Sequence, residues 1–249
     1  MARKSPTGDA DAFQKLLADA KAAGKDVEPP ITGDPTATLI ESFFVWNATV
    51  EQADLAMIHL MDVFVDFLEL RVALPHEFLE IIGEDYPFAL ERVIRLRDSM
   101  YEVYLRERGV ELKTLLDKNK KEQRAYLDSL PGIPPFVAAR TALLSFEAHG
   151  VPVDDKLCLL MIERGVFAAG TTPAEAEAFL QKQVKAADAS ETYLALQAWS
   201  DRQAMPAVQA ADSDRVGFEE VAAEAEERRR AKTRAKAAAK SKERAKANK

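Results

Sequence analysis

The sequence predicts an all-α protein. Three observations carry this. Apolar residues recur at helical spacing through almost the whole chain. Twelve prolines and ten glycines punctuate those stretches. No series of alternating apolar and polar segments supports a sheet, although a short apolar run such as Val63–Val65 has strand character. The 249 residues, 47% hydrophobic and 30% charged, suffice for one large domain or two small lobes around a real core.

The elements follow in order. Phe13, Leu16, Leu17 and Ala20 share one face of a first helix, which Gly24 can end. Residues 25–34 hold Pro29, Pro30 and Gly33 and read as a linker. Pro35 suits the first turn of the next helix. That helix carries Leu39, Ile40, Phe43, Phe44 and Trp46, apolar nearly all round, and is expected at the centre. Another runs from about Thr49 and offers Val50, Ala53, Leu55, Ile58, Leu60 and Met61 to the core. Further helices are predicted over 76–82, 86–108, 111–117, 121–129, 135–149, 155–164, 173–185 and 190–203. Trp46 and Trp199 are expected in the core. Beyond about Ala204 the pattern weakens, and residues 221–249 are nearly all Ala, Glu, Lys and Arg without an apolar stripe.

Composition excludes several functions. No apolar run approaches the ~20 residues of a membrane span. The N-terminal residues lack the apolar centre of a signal peptide. A cytoplasmic protein is expected, nucleoid-associated if bacterial. One cysteine, Cys158, forbids an intramolecular disulfide and any multi-cysteine zinc or iron–sulfur site. Cys158 sits in an apolar helix and reads as inert core. His59, His76 and His149 show no metal-ligand spacing. No cofactor, metal cluster or membrane is expected, and the protein is expected to be a monomer.

The net charge of -7 conceals an asymmetry. Residues 228–249 hold eleven Lys or Arg and one acid, a charge of +10, which leaves -17 on residues 1–227. An anionic partner is expected for the tail alone. The first cations of the tail, Arg228, Arg229, Arg230, Lys232, Arg234 and Lys236, are candidate phosphate contacts that confer affinity without base preference.

Residues 121–164 are the most informative. A helix ends at Leu130, the turn Pro131-Gly132-Ile133-Pro134 follows, and a helix with Ala138, Ala139 and Ala142 begins near Pro135. Those alanines permit a close neighbour. A glycine turn aimed along a helix start can present N–H groups to a phosphate. Some twenty residues on, Val153-Asp154 opens another helix.

This set resembles the helix-hairpin-helix DNA glycosylases of the endonuclease III type. Their hairpin reads roughly Leu-Pro-Gly-Val-Gly before an Ala-rich helix, and the later apolar-Val-Asp step carries the catalytic carboxylate. Leu130-Pro131-Gly132-Ile133 and Val153-Asp154 match in type, order and spacing. Phe44-Val45-Trp46-Asn47-Ala48-Thr49 resembles the family segment ending Gln-x-Thr, whose Gln wedges into the DNA stack, and Asn47 falls on that position. The resemblance covers about residues 10–203. It implies two helical lobes with the hairpin and Asp154 facing one cleft, double-stranded DNA as partner, and base-excision repair as function. The implied organisation is an N-terminal helix and linker over 1–35, a bundle over 36–149 with the hairpin at 121–149, helices completing the second lobe over 150–205, and a linker and basic tail over 206–249.

The departures are as informative. Pro134 stands where the family has its second hairpin glycine and offers no N–H. Phe136 stands where lyase members carry the Schiff-base lysine. Asp155 and Lys156 replace the Thr and His that follow the catalytic Asp. The four-cysteine cluster loop is absent. Two classes therefore remain: a monofunctional glycosylase that hydrolyses the N-glycosidic bond in damaged or mismatched DNA, and a catalytically inactive DNA-binding module of the same fold.

Each site residue also has a structural reading. Asp154 can cap the helix that follows, a role compatible with catalysis, since N–H donors keep a carboxylate ionised. Gly132 and Ile133 are either turn residues or the phosphate-facing part of the hairpin. Lys156 is a solvated first-turn lysine, a phosphate contact or a partner of Asp155. Asn47 caps the helix near Thr49 or enters the DNA stack.

Overall fold

The computed structural model describes residues 8–23, 33–83 and 85–204. Among them the chain is helical, with no strand, so the Val63–Val65 run forms none. None of these helices is long and apolar enough to cross a membrane. The Gly24 stop, most of the 25–34 linker and the basic tail lie outside the described residues.

Helix α1 (Ala10–Ala23) buries Phe13, Leu16 and Ala20. Helix α2 (Pro35–Val45) begins where the Asp34 carboxylate accepts the Thr36 N–H at 3.0 Å and Pro35 needs no partner. It is central as expected, with Leu39, Ile40, Phe43 and Phe44 fully buried. Thr49 and Gln52 form a capping box at the start of α3 (Val50–Val63). This corrects the expectation that Asn47 caps α3. A short α4 (Phe67–Leu70), not anticipated, leads to α5 (Pro75–Ile82).

Helix α6 (Ala89–Glu107) starts three residues later than predicted, because Tyr86, Pro87 and Phe88 form a bend with Phe88 at φ 52°. A 3-10 segment (Leu112–Asp117) precedes α7 (Lys120–Asp128) and α8 (Pro135–Phe146). Then come α9 (Asp155–Glu163), α10 (Pro173–Gln183), a 3-10 turn (Ala186–Asp188) and α11 (Ala189–Asp201).

Packing positions the site. Helix α8 lies along α2, where Ala138, Ala139 and Ala142 are buried. Arg140 of α8 is 2% exposed and binds Glu41 at 2.5 Å, Ser42 Oγ at 2.9 Å and Tyr193 Oη at 2.9 Å, joining α8, α2 and α11. A buried guanidinium so paired is costly to disturb. Helix α1 packs on α11, and Phe13 meets Phe179 of α10 edge to face. Arg92 of α6, fully buried, donates to the carbonyls of Phe43, Trp46 and Pro87, satisfying the C-terminal end of α2. The elbow between α2 and α3 is thereby fixed.

One expectation about the core fails. Leu55, Ile58 and Met61 of α3 are half exposed or more. They recur on one face, but Ala53, Ala56 and Leu60 form the face that packs inward.

Candidate active site

The turn between α7 and α8 is held from one side by α6. Ser99 Oγ donates to the Pro131 carbonyl at 2.8 Å and Arg95 Nη1 to the Gly132 carbonyl at 3.1 Å. Gly132 has φ 73°, and a Cβ there would sit 3.3 Å from the Arg95 Cα. The turn requires glycine on both counts. Gly132 is exposed, while Ile133 is half-buried and its N–H points back to Leu130 O at 3.4 Å. Pro134 is buried and caps α8 without a side-chain bond.

Across from this turn stands the N-terminus of α9. Asp154 is its N-cap, and Oδ1 accepts the Leu157 N–H at 2.8 Å. Oδ2 accepts the Asn47 backbone N–H, also at 2.8 Å. The side chain is 4% exposed. Burial pushes its pKa up to about 6, outweighing the two N–H donors and the nearby Lys156. The N–H donors favour the ionised form, as the sequence reading expected, but desolvation is the larger effect.

Asn47 is 1% exposed with φ 53°. Its Nδ2 donates to Asp155 Oδ2 at 3.1 Å, and its Oδ1 accepts the Lys156 N–H at 3.1 Å. Both ends of the amide are thus bound to the first turn of α9. The assignment of Asn47 as a wedge in the DNA stack is corrected, because a buried amide engaged at both ends cannot reach a helix outside the protein. Asn47 instead locks the α2–α3 elbow to α9.

Lys156 is likewise corrected. It is 1% exposed, and its Nζ donates to Ala48 O at 3.1 Å and pairs with Asp201 Oδ1 at 2.8 Å. It is neither a solvated lysine nor a phosphate contact, and its partner is not Asp155. Cys158 is buried, and desolvation pushes its thiol up to about 12, in keeping with inert core.

Between turn and helix lies a cavity of about 270 Å³. Ile133, Pro134, Pro135 and Phe136 form one wall, and Val153, Asp154 and Asp155 form another. The turn between α7 and α8 and Asp154 therefore face one cleft. The volume lies just below the ~300–1,000 Å³ of drug-sized sites, the scale of one heterocycle.

Sequence reasoning missed other cavity residues. Trp46, assigned to the core, is only partly buried and stacks on Phe88 with ring centroids 6.0 Å apart. Arg95 lies 5.9 Å over the Trp46 ring and is held by Glu91 at 2.8 Å. Glu177 of α10 lines the cavity, and burial raises its carboxyl above the usual range. The break at Pro87 was the available sign that α6 starts late and brings Phe88 to the elbow. Glu177 had no local signal. Phe136 is 3% exposed and packs on Tyr193. The tail residues Arg228, Arg229, Arg230, Lys232, Arg234 and Lys236 lie outside the described residues.

Solved structures share this arrangement of helices. A non-covalent endonuclease III–DNA complex aligns with a TM-score of 0.60 at 14% identity, covering 90% of this chain and 100% of that one. The 3-methyladenine DNA glycosylase of H. pylori, bound to 1,N6-ethenoadenine, gives 0.59 at 14% identity over 77% of this chain and 97% of its own. An 8-oxoguanine glycosylase/lyase from Clostridium acetobutylicum, in complex with double-stranded DNA, gives 0.57 at 16% identity over 77% and 68%. No family model and no curated protein matches the sequence. The chain has the all-α fold of the endonuclease III-type DNA glycosylases.

Proposed function

We propose that the protein is a base-excision enzyme, a monofunctional DNA glycosylase that hydrolyses the N-glycosidic bond of a damaged or mismatched nucleotide. The observation that carries the reading is Asp154, a buried carboxylate at a helix N-terminus that fronts a base-sized cavity opposite a glycine turn. A nucleotide acted on in a duplex must leave the stack and enter such a cavity. As the bond from C1′ to the base nitrogen breaks, its electron pair leaves with the base and positive charge develops on the sugar. Ionised Asp154 stabilises that charge. It then takes a proton from the water whose oxygen bonds to C1′. Each Asp154 oxygen accepts one N–H and retains a lone pair for this work. Trp46 stacked on Phe88 offers an aromatic wall to a base.

The chemistry stops at hydrolysis on this reading, because Phe136 occupies the amine position of lyase relatives and no Schiff base can form. The test is base release from a panel of lesion-bearing duplexes. Wild type releases at least one lesion, Asp154→Asn is slower by at least ~100-fold, and borohydride traps no covalent complex. Equal rates for both proteins overturn the role of Asp154, and a trapped complex overturns the monofunctional reading.

A second reading, a non-catalytic DNA-binding module, draws on Pro134 and on the burial of Asp154 itself. It expects duplex binding without release of any base.

A further inference from the structure

On α3, α4 and α5 the molecule carries an open groove of about 840 Å³. Phe64, Val72 and Ile81 supply its apolar lining, while Asp62, Glu69, Glu77 and Glu80 are its carboxylates. Among the described residues no Lys or Arg lines it. Exposed apolar residues recur along the same stretch of chain: Ile58 is 56% exposed, Met61 50%, Val63, itself in the lining, 59% and Val65 85%. Apolar patches of this kind mark contact surfaces. None of these residues takes part in the cleft around Asp154.

The chemistry selects the occupant. An apolar floor under an anionic rim suits lysine and arginine, whose aliphatic stems cover apolar surface while the charged ends meet carboxylates. A second copy of the same face would set acids against acids. The chain supplies the complement itself, because residues 228–249 hold eleven Lys or Arg and one acid. The tether has the right length. Asp201, the last residue of α11, accepts the N–H of Val50, the first residue of α3, at 3.0 Å. The 14 residues of α3 then run about 21 Å to the groove. Residues 205–227 span about 35 Å even at helical rise and more when extended. Held so close, the basic segment sits at an effective concentration of about millimolar.

We propose that residues 228–249 dock into the acid-rimmed apolar groove of α3–α5 in the same molecule, and that a polyanion competes with the groove for them. The inference stands apart from the glycosylase reading, since it needs no activity. The consequence is regulatory. The tail is withheld from weak anionic surfaces and released to one dense enough to outcompete the groove.

The test uses the full chain with a nitroxide on Ser241→Cys, Cys158 being buried. Amide signals from the second half of α3 and from α5 are expected to broaden. Asp62→Asn with Glu80→Gln should lower the docked population at least about threefold, the scale of losing two surface ion pairs. A titration of the same labelled chain, without the two substitutions, with sodium chloride, and separately with a 20-base-pair duplex, should release the tail in the same way. Broadening that is uniform or centred on another face overturns the proposal, as does indifference to both the substitutions and salt. Broadening seen when labelled chains are mixed with isotope-enriched, spin-free chains assigns the groove to a neighbour's tail and overturns the same-molecule claim.

Discussion

The backbone N–H of Asn47 and the carboxylate of Asp154 are joined at 2.8 Å across 107 residues of sequence. The bond sets the candidate catalytic group at the meeting of the α2–α3 elbow and the α9 N-terminus, and it explains how a buried carboxylate is tolerated there. Two N–H donors recover part of the hydration Asp154 loses, and burial still leaves its pKa at about 6.

The first prediction is a pH dependence. If ionised Asp154 is needed, kcat/KM for base release rises tenfold per unit up to about pH 6 and is level above it. Stability runs the other way. The folded pKa is above the ordinary 3.8 of an aspartate, so Asp154 favours the fold most below pH 4, and that contribution is lost as pH rises through about 6. The loss is about 3 kcal/mol at ~1.4 kcal/mol per unit. Urea unfolding of wild type and Asp154→Asn at pH 4.5 to 7.5 should show the wild type declining relative to the variant up to about pH 6. A constant difference would show that the carboxyl does not titrate in this window.

Asn47 separates side-chain from backbone effects. Asn47→Gly keeps the N–H bond to Asp154 and suits φ 53°, but loses the bonds to Asp155 and Lys156. A cost of about 1–3 kcal/mol is expected. Asn47→Ala adds left-handed strain of about 1 kcal/mol. Chemical denaturation should rank wild type above Gly and Gly above Ala. Ala equal to Gly would mean the elbow relaxes out of its left-handed backbone.

Lys156 offers a test in which structure and sequence disagree. Lys156→Met removes the pair with Asp201 and the bond to Ala48 O. Asp201 keeps the Val50 N–H and Gln197, so the cost should fall below the ~3–5 kcal/mol of a fully stranded partner. The salt dependence of DNA binding should not change. A slope flatter by about one unit would restore Lys156 as a phosphate contact.

How much could be read from the sequence follows from the range of the interactions. The helix starts at Pro35, near Thr49 and at 173 were legible because their signals are local, the caps Asp34, Thr49 with Gln52, and Thr172 with Glu175 each acting within four residues, although the sequence reading offered Asn47 as the cap of α3. The spacing from Gly132 to Asp154 was legible because each opens or precedes a helix of predictable length. Asn47 and Lys156 were misread because their partners lie 108 and 45 residues away, and both polar ends look solvated until those partners are placed. Leu55, Ile58 and Met61 were misread for another reason. Helical spacing shows that they share a face, but nothing in one helix says whether that face is covered.

The last prediction concerns the tail. Deleting residues 228–249 should leave the fold intact, because the segment has no apolar stripe to contribute to the core. DNA affinity should drop about equally for all sequences, since phosphate contacts carry no base information. Each phosphate neutralised on duplex DNA contributes about -0.9 to the slope of log affinity against log salt. If about half of the eleven cations engage together, deletion flattens that slope by roughly 4–6 units. The remaining binding reports on the hairpin turn. It should be weak, because Pro134 offers no donor and the rest of the chain carries -17. Titrations of full-length and truncated protein at several salt concentrations decide the matter. Coincident curves would remove the tail from DNA binding and leave the turn around Gly132 as the remaining candidate for the contact.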